Sequence, residues 1–207
     1  MNISRKDIQE LKLKLLKSNM GNNAVFTTLG ATNHALSNRQ KHDYYATDPI
    51  AAEYLMSLES FRNILEPACG QGHLAKVFEQ HGYKVNCSDL IFRGYGSKKN
   101  FFDLKKWNGD IITNPPYKYA REFVEHAMNI VPTKSKVAMF LKLSFLESIK
   151  RKKLFEKYPP KTVYVSSSRI ICAKNGDFKT FNQSAIAYAW FVWQKGYKGK
   201  TVVKWFN

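Results

Sequence analysis

The stretch "NILEPACGQGHLAKVFEQHGYKVNCSDL", residues 63 to 90, constrains the fold more than any other part of the chain. "NILEPA" (63–68) reads as a strand. "QGHLAKVFEQHG" (71–82) reads as a helix closed by Gly82, and "YKVNCSDL" (83–90) as a second strand. Strand, helix, strand with a tight glycine turn between the first two is a βαβ unit, and that unit makes its strands parallel.

The same alternation continues downstream. Pro49 can occupy the first turn of a helix reaching about Leu58, with Asp48 as its cap. "DIITN" (110–114) is a strand and "YAREFVEHAMNIV" (119–131) a helix stopped near Pro132. "KVAMFLKL" (136–143) is a strand, and "ESIKRKKLFEKY" (147–158) a helix stopped by Pro159 and Pro160. "TVYVSSSRI" (162–170) and "SAIAYAWFVWQK" (184–195) are strands with no helix-length segment between them, so they must be antiparallel. "TVVKWFN" (201–207) is a candidate further strand. The expectation is an α/β fold, a mainly parallel sheet with an antiparallel last strand.

Residues 4–18 read as a short helix, capped by Ser4 with Asp7 in a capping-box position and with Ile8, Leu11 and Leu15 on one face. Residues 19–46 are polar and Asn-rich and read as a long loop. The expected division is therefore 1–46, an N-terminal helix and polar loop, and 47–207, one catalytic domain.

Composition narrows the partner. Lys plus Arg total 33 against 16 Asp plus Glu, a formal charge of +17 in 207 residues. Such an excess favours a polyanion, most often nucleic acid. The basic residues are spread along the chain, at Lys98-Lys99, Lys105-Lys106, Lys150 to Lys153 and 195–204, which suits a folded face better than a tail. No apolar run approaches the roughly 18 to 20 residues of a membrane span. Cys69, Cys87 and Cys172 are odd in number and far apart, with no CxxC or Cys/His cluster, so neither a disulfide framework nor a metal site is indicated and a cytoplasmic setting is expected.

Three segments carry chemistry. In "EPACGQG" (66–72), Gly70 and Gly72 allow a sharp turn and close approach of a ligand at the carboxyl end of a strand. The acidic Glu66, and the absence of GxGxxG and Walker patterns, point to a ligand with a positive or polar group rather than a pyrophosphate. Asp89 ends the next strand, about 20 residues on, where a carboxylate can hold ribose hydroxyls; it can equally be a strand-end or helix-cap Asp. Asp103 in "NFFDL" can accept from an adenine amine, with Phe101 or Phe102 lining the ring, or be a simple loop residue. Finally, "NPPY" (114–117) ends a core strand with an amide, two rings that cannot donate to a ladder, and an aromatic.

Taken in order, "EPACGQG", Asp89 and "NPPY" resemble the class I S-adenosylmethionine-dependent methyltransferases that act on exocyclic amines, most closely the DNA adenine-N6 enzymes. "YYATDP" (44–49) resembles the segment that closes over the methionine end of the cofactor, and the short architecture and "AYAWFVWQKGYKG" look like small orphan enzymes of phage and mobile elements. The resemblance covers roughly residues 44 to 200. It implies a Rossmann-like fold and S-adenosyl-L-methionine as cofactor. The cofactor would be held by Tyr45, Thr47, Glu66, Pro67, Ala68, Cys69, Gly70, Gly72, Asp89, Leu90, Phe102, Asp103 and Asn114. It also implies that Asn114, Pro115, Pro116 and Tyr117 are catalytic, with the Asn114 oxygen and the Pro115 carbonyl accepting from the target amine and Tyr117 stacking on a flipped base.

The chain departs from that pattern in having no room for a separate target-recognition domain. The loop 19–46 and "CAKNGDFKTFNQ" (172–183) are the candidate readers, with Phe178 or Phe181 a candidate second stacking face. DNA is the expected partner. Adenine in RNA remains an alternative, as does protein glutamine, since release-factor glutamine methyltransferases also use NPPY.

Overall fold

The computed structural model describes residues 44–207 apart from 175 and 179–184. The helix expected over 4–18, the loop as far as residue 43, and Phe181 lie outside the described residues. The elements are, in chain order, β1 (Tyr45–Thr47), α1 (Ile50–Leu58), β2 (Ile64–Glu66), α2 (His73–Gln80), β3 (Val85–Asp89), β4 (Ser97–Lys98), β5 (Asp110–Thr113), α3 (Ala120–Ile130), β6 (Lys136–Lys142), α4 (Ile149–Lys157), β7 (Thr162–Ser166), β8 (Cys172–Lys174), β9 (Tyr188–Gln194) and β10 (Val202–Phe206).

Eight strands form one sheet in the order β10-β7-β9-β6-β5-β2-β3-β4. β9 runs antiparallel to both β6 and β7, and the other pairings are parallel. The expected antiparallel strand is therefore present. It lies inside the sheet, and β10, parallel to β7, follows it at the edge. The sequence explains why β6 and β9 are central: both are apolar on successive residues, which suits a strand covered on both faces. Val137, Met139 and Leu141 of β6 join α3 and α4 residues in one core, while Ala138 and Phe140 join α1 and α2 residues in the other. Two indoles of β9 tie down the opposite layers: Trp190 Nε1 donates to the Ala51 carbonyl (2.7 Å) and Trp193 Nε1 to the Tyr158 carbonyl (3.0 Å).

Helix α1 starts one residue later than expected, at Ile50 with Pro49 in the cap position, and an Asp48 carboxylate oxygen accepts from the Ile50 amide (3.0 Å). Three short strands depart from the sequence reading. Residues 45 and 46, assigned to the long loop, belong to β1, and β8 lies within the 171–183 connection; the two pair antiparallel, Tyr45 with Lys174 and Thr47 with Cys172. β4 forms after the turn containing Gly94 and Gly96, both at positive φ. Runs of two or three residues show too little periodicity to be read locally, and pairing with a distant partner creates them.

Strand succession moves outward from β2 through β3 to β4, then jumps back across β2 to β5 and β6. This reversal opens a crevice between the carboxyl ends of β2 and β5.

Candidate active site

The crevice is a cleft bordered by Glu66, Ala68 and Cys69 after β2, by Asp89 after β3, by Asn114, Pro115, Pro116 and Tyr117 after β5, and by residues 44–47 of the β1 segment. Parallel strands put all these turns on one side of the sheet. The glycine turn has the conformation its residues suggest: Gly70 sits at φ 56° and Gly72 at φ 78°, immediately before α2. A side chain would be strained at both.

Three acidic or amide groups define the chemistry. Glu66 is 2% exposed, its Oε2 has no hydrogen-bond partner, and burial holds its carboxyl well above the usual range. The Asn114 amide is fixed by its nitrogen, which donates to Thr47 Oγ1 (2.7 Å) and to the Tyr45 carbonyl (3.2 Å). Asn114 Oδ1 is buried and unpartnered, so the group left over at the cleft is an acceptor. Asp89 Oδ2 accepts from the Gly70 amide (2.9 Å) and Oδ1 from the Ile91 amide (2.9 Å). Asp89 thus braces the glycine turn, and each of its oxygens retains a second lone pair for a ligand.

Tyr117 stands half-buried with its hydroxyl donating to Cys172 Sγ (3.4 Å) and Lys142 Nζ 4.9 Å from its ring centre. Burial pushes its phenol well above the ordinary value and the Cys172 thiol up to about 11, so both are neutral near pH 7.

The structure divides the expected cofactor residues. Tyr45, Thr47, Glu66, Ala68, Cys69, Asp89 and Asn114 meet at the cleft. Pro67 joins Glu66 to Ala68 without bordering the cleft, and Gly70 and Gly72 lie under the rings of Tyr44 and Tyr95, where an added Cβ would come within 2.4 Å of either ring. Asp103 opens instead onto a second cleft, with Leu65, Ser88, Lys98, Lys99, Phe101 and Trp107. Its Oδ1 accepts from the Asn100 side chain (3.2 Å). Leu90 is 60% exposed and lines neither cleft; Phe102 packs against Phe123 and His126 rather than either cleft. Phe178 packs edge-on against His73, and the rings beside Tyr117 are Tyr45 and Tyr188.

Sequence reading missed Tyr44, His73 and Arg93, which also line the cleft. The Arg93 guanidinium lies 4.3 Å from the Tyr44 ring centre, and its Nε is buried without a partner. The available signal was position: Arg93 lies between Asp89 and Gly94, in the turn that follows β3.

No family model and no curated protein sequence matches this chain. Solved structures do. A Pyrococcus horikoshii protein assigned as an RNA methyltransferase superposes with a TM-score of 0.54 at 16% identity, over 82% of this chain and 95% of that one. A Listeria monocytogenes protein assigned as a class I S-adenosylmethionine-dependent methyltransferase gives 0.53 at 16% identity, over 99% of this chain and 74% of that one. A Thermoplasma acidophilum protein gives 0.53 at 14% identity, over 77% and 93%. With its sheet order and cleft position, the chain has the Rossmann-like fold of the class I methyltransferases.

Proposed function

We propose that the protein is an S-adenosylmethionine-dependent methyltransferase that methylates the N6 amine of adenine in nucleic acid, with DNA as the leading substrate. The observation that carries this reading is the Asn114 amide, anchored through its nitrogen so that Oδ1 is left as an unpaired acceptor beside the Tyr117 ring. An adenine amine is a weak nucleophile because its lone pair is delocalised into the ring. Hydrogen bonds accepted from its N–H groups by Asn114 Oδ1 and the Pro115 carbonyl favour a localised lone pair. Tyr117, neutral at working pH, offers the ring on which a flipped base stacks.

The residues present fit the cofactor. Glu66 Oε2, buried and unpaired, suits a cationic ligand that would favour its ionised form, and Asp89 has lone pairs free for ribose hydroxyls. The cofactor supplies an electrophilic methyl group; the chain supplies positioning and exclusion of water. The +17 charge supports a polyanionic substrate, and no separate recognition domain is needed if short loops contact the duplex. Adenine in RNA is the second reading, favoured by the Pyrococcus neighbour.

Labelled cofactor incubated with duplex DNA, structured RNA and a glutamine-bearing release factor, followed by nucleoside and peptide mass spectrometry, tests the reading. N6-methyladenine in DNA is expected. Methylglutamine alone, or no methylated product from protein that binds the cofactor, would sink it.

A further inference from the structure

Resting on the adenine-methylation reading above, we propose that Tyr45 is the second wall of the target-base slot, and that the acceptor base enters between the rings of Tyr45 and Tyr117. The two rings already face each other, with centres 6.1 Å apart and planes 29° from parallel. A base held between two rings needs about 7 Å between them, twice the roughly 3.5 Å of aromatic contact. The ring centres stand closer than that, at 6.1 Å, so one wall must shift outward to admit a planar ring.

The neighbours of Tyr117 identify which wall yields. Tyr188, also 6.1 Å away, is 5% exposed, belongs to the interior strand β9 and stacks on Phe140 at 5.2 Å. Lys142 is the last residue of β6, and Tyr117 is tethered through its hydroxyl to Cys172. Tyr45 sits on a three-residue strand outside the main sheet, held by a ladder of three residue pairs. It is the neighbour displaced at least cost.

The chemistry of the slot agrees. The Tyr45 carbonyl accepts from Asn114 Nδ2, so the Tyr45–Tyr117 opening lies beside the amide whose Oδ1 is unpaired. A base inserted there presents its exocyclic amine to that oxygen. The role differs from the one implied by resemblance, in which Tyr45 closes over the cofactor, and it replaces Phe178, which lies on His73.

The test compares wild type with Tyr45→Ala, Tyr45→Leu and Tyr45→Phe, using a single-stranded adenine-rich oligonucleotide and S-adenosylmethionine. Three quantities are read: KM for the oligonucleotide, its affinity by fluorescence anisotropy with S-adenosylhomocysteine present, and cofactor affinity by calorimetry. Loss of one stacking face is expected to raise KM and weaken oligonucleotide binding roughly 5- to 150-fold in the Ala and Leu variants. Cofactor affinity should stay within about twofold of wild type, and Tyr45→Phe should recover most of the oligonucleotide binding lost in Tyr45→Ala, because stacking needs the ring. Weakened cofactor binding with normal oligonucleotide KM would overturn the slot and return Tyr45 to the cofactor. Wild-type kinetics in folded Tyr45→Leu would overturn it as well. If wild-type protein neither binds nor methylates any adenine-containing oligonucleotide, the methyl-transfer reading itself fails and the slot with it.

Discussion

The two ends of one strand pair, β2 and β5, treat buried polar groups in opposite ways. At the amino end, Asp110 is 4% exposed and fully engaged: Oδ2 accepts from the Arg62 amide (2.8 Å) and Oδ1 from the Lys136 amide (2.7 Å). At the carboxyl end, Glu66 Oε2 and Asn114 Oδ1 are buried with no partner. An unpartnered buried polar group costs about 1–3 kcal/mol. The chain avoids that cost where a polar group only joins strands and tolerates it where strand ends meet the cleft. At this strand pair satisfied burial goes with architecture, and the unsatisfied atoms of Glu66 and Asn114 border the cleft, where a ligand would complete their hydrogen bonds. Thr113 Oγ1, His126 Nε2 and Arg151 Nε are likewise unpartnered but line no part of it.

Substitutions at the two ends should separate accordingly. The largest effect on chemistry is expected for Asn114→Ala, which removes the acceptor: turnover should fall about 10²- to 10³-fold in single-turnover assays, with melting temperature and cofactor affinity nearly unchanged. Asn114→Asp should retain part of the rate, because a carboxylate oxygen can accept the same bond. Wild-type turnover in Asn114→Ala would erase the contrast.

Asp110→Ala should do the reverse. Leaving the Arg62 and Lys136 amides unpaired should cost about 2–4 kcal/mol in urea unfolding, while activity per folded molecule stays at the wild-type level. A loss of specific activity with unchanged stability would make the amino end functional too.

Glu66→Gln should weaken cofactor binding by about 1.5–3 kcal/mol, the worth of a charge-assisted bond. The same residue sets a pH dependence of the ligand-free protein. Its folded pKa is raised, so the fold keeps a proton that the unfolded chain releases. Stability is therefore highest below the ordinary carboxylate range and falls as pH rises from there toward the raised value. Denaturant midpoints measured across that window should show this slope in wild type and a shallower one in Glu66→Gln, because burial also raises the Asp110 carboxyl. Cofactor affinity should rise over the same window, since a cation favours the ionised carboxyl.

The smallest effect is expected for Thr47→Val. It removes the oxygen that receives Asn114 Nδ2 and leaves the amide less firmly oriented. A fall in kcat of up to about tenfold, restored by Thr47→Ser, with KM little changed, would identify Thr47 as a positioning residue.

Much of this was legible in the chain. The glycine turn between 66 and 72 and the double proline at 115–116 are local signals: a positive φ demands glycine, and proline ends a ladder wherever it falls. They placed Glu66, Asp89 and Asn114 at strand ends, and strand ends of a parallel sheet meet at one edge. Leu90, Phe102 and Asp103 were less legible, because where a loop residue points depends on what the loop packs against. Phe102 is drawn toward Phe123 and His126 of α3, and Asp103 toward Asn100 and the second cleft.

By itself, the sequence determined the α/β alternation, the turns that bracket the site and the basic character of the chain, since these follow from local periodicity, backbone sterics and charge. The tertiary structure decided what the local code cannot carry. The three-residue strands β1 and β8 exist because residues 45–47 and 172–174 meet. The Asn114 amide has a defined orientation because Thr47, 67 residues away in sequence, accepts its N–H. Tyr45 faces Tyr117 for the same reason: long-range packing, rather than the preferences of either segment, brings the rings to 6.1 Å.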